Sequence, residues 1–314
     1  MTVEWVFWLE DLAQGDAARV GRKCANLGEL TRAGFHVPGG FALCVDAYEE
    51  FLRATGAGDE LAAAFEGFDA DPDDPKQLGR FTEAAAAAKA CVESREMPAE
   101  MAPVLAAFYE ELSVRTGVPA VPVATRSAGP ASHPGQYESY LNISGHEAVM
   151  EGVKKVWSST FNTRSLIARA RKGLPLHHDP IGVAVLTMVD ADAAGVMFTA
   201  EPTTANASRM VIEGSTGLGE IVVSGAVIPD NWTVDATDFT VAERRLAPAA
   251  GGAGAPAACL TDEEVAAIAR VGKMIEKHFG KPQDIEWAVD RDSPGDPVFI
   301  LQARPETFRI DFRF

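Results

Sequence analysis

Four residues suited to handling phosphate crowd into one stretch near the C-terminus: Asp284, Glu286, Gln302 and Arg304. They sit in two apolar runs, Gln283-Asp284-Ile285-Glu286-Trp287-Ala288-Val289 and Val298-Phe299-Ile300-Leu301-Gln302-Ala303-Arg304. Between them, Asp290-Arg291-Asp292-Ser293-Pro294-Gly295-Asp296-Pro297 is nearly all turn-forming residues, so the spacing predicts an antiparallel hairpin. Side chains alternate between faces along a strand. Asp284 and Glu286 therefore share one face, with Ile285 and Trp287 on the other. Gln302 and Arg304 likewise share a face, opposite Leu301 and Ala303. A register that sets Glu286 across from Gln302 also sets Asp284 across from Arg304, and all four polar groups then converge. Three oxygen donors beside one guanidinium match a Mg²⁺ ion carrying phosphates: a hard cation takes oxygen ligands, and a planar fork takes phosphate. Two solvated polar faces on an edge hairpin are the plainer reading of the same pattern.

Two more cations have comparable settings. A helix is expected to start near Gly21 and end at Ala33-Gly34, with Cys24, Leu27 and Leu30 facing inward. Lys23 then lies in the first turn, where the helix dipole favours an anion as its partner; a solvated helical lysine is the alternative. Val121 to Ser127 reads as a strand that brings Arg126 to its end. The small-residue loop Ala128-Gly129-Pro130-Ala131-Ser132-His133-Pro134-Gly135-Gln136 follows, and free backbone N–H groups in such a loop can hold phosphate oxygens. An ordinary hairpin loop is the alternative there.

Other chemistries fare badly. Gly214-Ser215-Thr216-Gly217-Leu218-Gly219-Glu220 is glycine-rich, but no Gly-Lys-Ser/Thr closes it and it is not the dinucleotide fingerprint. Cys24, Cys44, Cys91 and Cys259 are scattered without metal spacing, which predicts reduced thiols in a cytoplasm. His177-His178-Asp179 is the only imidazole pair, and adjacent side chains diverge, so a surface loop is expected. Ser224 sits in Val-Val-Ser-Gly, which is no nucleophile elbow.

The elements that position these residues follow from periodicity. At 314 residues the chain predicts two or three subdomains around a large core. A formal charge of -17 argues against a nucleic-acid or anionic-membrane partner, while a few local cations still suffice for a nucleotide. No run approaches membrane-spanning length. Residues 4–9 and 41–45 read as strands around the first helix. From 46 to 116 the chain reads as helices (48–54, 59–65, 75–92 and 98–116), a helical insertion carrying no chemistry. Residues 139–143 form a strand, and 146–172 form amphipathic helices with Trp157, Phe161 and Leu166 inward and Arg164, Arg169, Arg171 and Lys172 on a solvated face. Strands are expected at 181–189, 196–199, 210–213 and 221–225, then an Ala/Gly/Pro loop over 247–258. A helix over 261–280 opens with a Thr261/Glu264 capping box and leads into the hairpin.

In chain order, Gly21-Arg22-Lys23-Cys24-Ala25-Asn26-Leu27-Gly28-Glu29-Leu30, Gly34-Phe35-His36-Val37-Pro38, Arg126-Ser127 and Gly135-Gln136-Tyr137-Glu138-Ser139-Tyr140-Leu141-Asn142 form a recognisable series. Gly195-Val196-Met197-Phe198-Thr199, Gly217-Leu218-Gly219-Glu220, Val223-Ser224-Gly225, Asp284-Ile285-Glu286-Trp287 and Gln302-Ala303-Arg304-Pro305 complete it. Together they resemble the nucleotide-binding domain of the pyruvate phosphate dikinase and phosphoenolpyruvate synthase family, across essentially the whole chain. The resemblance implies an α+β ATP-grasp fold whose two lobes enclose the nucleotide. Residues 1–180 would form the N-terminal lobe, with the helical insertion at about 46–116, and residues 181–314 the C-terminal lobe, with the metal-binding hairpin at 283–304.

The resemblance also implies ATP and Mg²⁺ as cofactors. The β-phosphoryl group of ATP would pass to a histidine on a separate domain, with release of AMP and phosphate. Lys23, Arg126 and Arg304 would be the catalytic cations: the first two on the phosphates, the third neutralising developing charge. Gly135 and Gln136 would close over the phosphates, Ser139 and Tyr140 would touch the nucleotide, and Thr187, Met188 and Val189 would lie along the adenine edge. Glu286 and Gln302 would hold Mg²⁺, supported by Asp284. Three departures stand out. Thr187 replaces the family's usual glutamine, Arg22 replaces a glycine, and the loop from Arg126 to Gly135 is shorter and lacks acidic residues.

None of the six histidines sits in the family's Thr/Ser-His signature. The resemblance therefore implies a cytoplasmic ATP-binding subunit whose partner carries the phosphohistidine and binds a small hydroxylated acceptor. Split relatives resembling phenylphosphate synthase and the alkylphenol-phosphorylating enzymes imply a phenol or benzylic alcohol. The alternatives are the excised first domain of a phosphoenolpyruvate synthase or rifampin phosphotransferase, or an ATP-sensing module without turnover. Glu306 to Phe314 is expected to dock on the partner.

Overall fold

The computed structural model describes residues 4–129, 137–204, 206–219, 222, 225, 227–248 and 257–306. The chain divides into two compact units. Met1–Glu29 and Gly39–Met188 form the first; Leu30–Pro38 and Val189–Phe314 form the second. Among the described residues all strand pairings are antiparallel and the helices are gathered outside the sheets, an α+β architecture.

The first unit is built on a five-stranded sheet in the order β1-β2-β5-β3-β4. Its strands are β1 (Val6–Trp8), β2 (Gly40–Leu43), β3 (Val123–Ala128), β4 (Ser139–Ile143) and β5 (Gly182–Thr187). Between β2 and β3 run α2 (Val45–Thr55), α3 (Ala57–Phe65), α4 (Leu78–Glu93) and α5 (Ala102–Thr116), matching the expected helical stretch closely. After β4 come α6 (His146–Ser158) and α7 (Thr163–Arg171). Tyr48 and Phe51 pack on Trp157 with ring centroids 5.2 and 5.0 Å apart, all three fully buried. Truncating one such buried aromatic removes about 3–5 kcal/mol.

The second unit contains a six-stranded sheet in the order β11-β10-β6-β7-β8-β9. Its members are β6 (Ala193–Phe198), β7 (Arg209–Thr216), β8 (Asp230–Asp235), β9 (Val241–Arg245), β10 (Gln283–Val289) and β11 (Val298–Pro305). One face packs against α8 (Asp262–Phe279) through Met197, Ile212, Trp232, Ile268, Ile275, Ile285 and Trp287. The capping box on α8 forms as expected: Glu264 N–H donates to Thr261 Oγ1 at 3.2 Å, and Thr261 N–H donates to Glu264 Oε2 at 2.7 Å.

Three expectations need correction. The boundary placed after residue 180 falls after Met188, because β5 is hydrogen-bonded between β2 and β3 and completes the first sheet; Leu30–Pro38 joins the second unit. Strands β8 and β9 have no counterpart in the expected elements, and β9 (Val-Ala-Glu-Arg-Arg) is too exposed to leave a hydrophobic pattern. Arg169 is not solvated but only 4% exposed. The expected strand at 221–225 and loop at 247–258 fall largely outside the described residues.

The helix α1 (Ala17–Arg32) contains a break at Gly21, where φ is 80° and ψ 154°, so the regular helix begins at Arg22. At its far end Gly34 N–H bonds Thr31 O at 3.1 Å and Phe35 N–H bonds Leu30 O at 3.0 Å. That pairing, with Gly34 at φ 84°, is the left-handed helix stop that glycine favours.

Candidate functional site

In the second unit the hairpin has the convergent register. Asp284 pairs with Arg304 and Glu286 with Gln302. Arg304 donates from Nε at 2.8 Å and from Nη2 at 2.5 Å, both to Asp284 Oδ2. Burial pushes the Asp284 carboxyl above the usual range; Arg304 pulls it back and Glu286 adds to the rise. Both carboxylates therefore act within one local field. Gln302 is 4% exposed, and its Oε1 is buried without a hydrogen-bond partner. A buried amide oxygen left in that state points to a ligand or ion.

The alternation expected on β11 breaks at one residue. Past Glu286 the register shifts, so Trp287 faces Ile300 while Ile285 faces Ala303. Ile300 and Ala303 both join the core though three apart, which requires an inserted residue, Leu301. Leu301 therefore does not share the Ala303 face, and the bulge lets Gln302 and Arg304 keep the polar face while Ile300 keeps the core. On its other side β10 is held by β6, with Glu286 opposite Val196 and Asp284 opposite Phe198. The site carboxylates thus stand on a doubly paired strand, not on an edge.

Just beyond the hairpin, burial raises the Glu306 carboxyl to about 7, with Asp284 and Glu276 adding to the rise. Glu306 carried no sequence signal beyond being an acid after a strand. Residues 307–314 of the expected docking tail lie outside the described residues.

In the first unit, Gly21 lies so close to the end of β3 that a Cβ would stand 2.0 Å from Ala128 O, and Arg22 N–H donates to Gly129 O at 3.2 Å. The start of the regular helix, carrying Lys23, is thereby joined to the end of the strand carrying Arg126. Cys24, fully buried between these elements, has its thiol pushed up to about 12 by desolvation, with Lys23 and Arg126 opposing. Both cations therefore act on one point.

Arg126 pairs with Ser139 across β3 and β4, so the two share a face. Tyr140 pairs with Thr125 on the opposite face. There Thr125 meets Gly152 of α6, and Lys155 of α6 lies 5.8 Å from the Tyr140 ring. The Tyr140 hydroxyl donates to Glu138. Tyr140 is thus directed at α6, away from Arg126. At the end of β5, Thr187 N–H bonds Gly39 O and Met188 N–H bonds Pro122 O, each at 2.8 Å. Those amides are committed to the protein, which leaves carbonyls and side chains of that segment for any base. Val189 opens the second unit just before β6. Gly135 and Gln136 lie outside the described residues.

Among the described residues no group of three or more His, Cys, Asp or Glu is arranged to hold a metal, and no helix is long and apolar enough to cross a membrane. The hairpin instead brings the Glu286 carboxylate and the Gln302 amide oxygen together beside the Asp284–Arg304 pair. That small oxygen set fits Mg²⁺, which commonly takes one or two carboxylates and completes its shell with water and phosphate.

Residues 17–311 match the family model described as pyruvate phosphate dikinase, AMP/ATP-binding domain. The chain belongs to that family. Relatives of this chain include a probable phosphoenolpyruvate synthase of Methanothermobacter thermautotrophicus, 37% identical over 326 residues that cover 97% of this chain and 46% of the relative. A probable phosphoenolpyruvate synthase of Pyrococcus horikoshii is 33% identical over 362 residues, covering 98% of this chain and 44% of the relative. The phosphoenolpyruvate synthase of Pyrococcus furiosus is 33% identical over 365 residues with the same coverage. The domain therefore spans less than half the length of these curated relatives.

Proposed function

We propose that the domain has an ATP-grasp fold, binds ATP with Mg²⁺ and delivers the β-phosphoryl group to a histidine outside residues 1–314, with AMP and phosphate as products and one water consumed. The observation that carries this reading is the β10–β11 register, which unites Glu286, the orphaned Gln302 oxygen and the Asp284–Arg304 pair in a chain of this family. Phosphoryl transfer asks a protein for positioning and charge cancellation rather than for a nucleophile of its own. Lys23 and Arg126 bind phosphate oxygens, Ser139 lines the same face, and Thr187, Met188 and Val189 lie along the base. Asp284 holds Arg304 as a fixed fork aimed at the charge that builds up on the transferred group. Mg²⁺ held by Glu286 and Gln302 neutralises phosphate charge when bound.

The names of the relatives favour pyruvate as final acceptor, phosphorylated on a histidine-bearing domain or partner subunit. A phenol or benzylic alcohol acceptor has the support of the split-enzyme resemblance alone. The test is ATP and Mg²⁺ incubated with this chain and a histidine-bearing partner, following AMP by chromatography with pyruvate or a phenol supplied. AMP formed only with the partner, and abolished by Glu286→Gln, is the expected result, and the acceptor that is consumed separates the two readings. Tight ATP binding without turnover would turn the reading towards a nucleotide sensor, and ADP as product would sink the β-phosphoryl route.

A further inference from the structure

The first unit holds a charge network around a buried arginine that the phosphate chemistry does not use directly. Arg169 of α7 is 4% exposed, yet among the described residues its guanidinium makes one hydrogen bond, from Nη2 to Thr160 O at 2.7 Å. Nε and Nη1 are buried without a hydrogen-bond partner, and Nη1 stands 4.0 Å from Asp179 Oδ2. The same Asp179 oxygen accepts the hydroxyl of Tyr137 at 2.6 Å. A buried guanidinium with spare donors is costly, and the carboxylate beside it also accepts from a phenol.

Tyr137 stands two residues before Ser139, the residue paired with Arg126. β4 is the edge of its sheet, and its register with β3 is irregular between Val123 and Thr125, with Asn142 at φ 56°. Its first residues therefore depend on side-chain anchors: Tyr137 on Asp179, Glu138 N–H on Ser159 Oγ at 3.2 Å, and Glu138 with Lys89 at 3.5 Å. Only the first of these leads to a group in the interior with unused bonding capacity.

We propose that Arg169 and Asp179 are positioning residues which, through the Tyr137 hydroxyl, set Ser139 beside Arg126 on the phosphate-binding face. The inference rests on the nucleotide reading of that face given above. Without the Tyr137 hydroxyl, Asp179 stays paired with Arg169, so the fold keeps its stability while β4 loses its anchor. The network therefore acts on ligand affinity more than on folding.

The experiment is a double-mutant cycle on the full chain, with ATP dissociation constants from calorimetry in Mg²⁺ and thermal midpoints recorded in parallel. Tyr137→Phe is expected to weaken ATP binding by about three- to tenfold, the worth of one hydrogen bond, with the midpoint almost unmoved. Combined with Arg126→Ala, it should add little to the loss that Arg126→Ala produces alone, because both act at one place. Asp179→Asn, which leaves the phenol a weaker acceptor, should fall between wild type and Tyr137→Phe. Unchanged affinity in Tyr137→Phe, or fully additive losses, would overturn the positioning role while leaving the nucleotide reading intact. No loss in Arg126→Ala would overturn both.

Discussion

The hairpin of the second unit and the phosphate face of the first unit hold functional side chains in opposite ways. Asp284, Glu286, Gln302 and Arg304 come from two adjacent strands joined by one turn, and a single register decides where all four go. Lys23, Arg126 and Ser139 come from a helix and two strands of a sheet whose order, β1-β2-β5-β3-β4, departs from chain order. The hairpin is thus a local structure with long-range support from β6, whereas the other face exists only once the sheet has assembled. Damage to the hairpin should therefore show as lost chemistry, and damage to the assembled face as lost stability and affinity.

The largest effect expected is on chemistry. Glu286→Gln keeps size but removes a charge and turns one acceptor oxygen into a donor, and should lower AMP formation about 100-fold or more with the fold retained. A residual rate near wild type would break the comparison, since the hairpin would then be scaffold.

Gly21→Ala tests the assembled face. Its backbone is left-handed at φ 80°, and the new Cβ would meet Ala128 O at 2.0 Å. The expected loss is about 2–4 kcal/mol in denaturant unfolding, together with weaker ATP binding, because the helix start and β3 must part. A stable variant with normal affinity would show that this junction does not hold the site.

Arg304→Ala sharpens the hairpin side through pH. The Arg304 side chain is 32% exposed and that of Asp284 13%, so breaking the pair should destabilise by about 1–3 kcal/mol at neutral pH. Burial already raises the folded-state Asp284 carboxyl, and removing its cation raises it further. A raised carboxyl binds protons more readily folded than unfolded, so its stability is present at low pH and lost as pH rises through the folded value. The deficit of Arg304→Ala should accordingly shrink as pH falls. Glu306→Gln follows the same sign: with the folded carboxyl at about 7, it should stabilise above that pH and approach wild type near pH 5. Thermal midpoints across this range check both variants.

The smallest effect belongs to Thr187→Gln. Thr187 pairs with Val123 on the sheet face opposite Arg126, so the longer side chain should shift ATP affinity by no more than about threefold, measured by the same calorimetry. A larger gain would mean that the base reads side chains on this segment.

The helix from Gly21 to Gly34, the four insertion helices, the capping box of α8 and the hairpin that carries Glu286 and Gln302 were all legible from residue types at short spacing, while the register of that hairpin came from the structure. Period, caps and turns are local physics, and each leaves its mark within a few residues. The family motifs were legible for the same reason, being short runs in a set order.

What the sequence alone determined, then, is the inventory of cations and carboxylates, the elements that carry them and the family they belong to. Tertiary structure decided where each belongs. It put β5 in the first sheet and residues 30–38 in the second unit, turned Tyr140 towards α6, and inserted Leu301 as a bulge. It also buried Arg169, whose neighbours in sequence predict a solvated face. Strand order, bulges and the burial of a charge depend on contacts between residues far apart in the chain, and no local pattern of polarity encodes them.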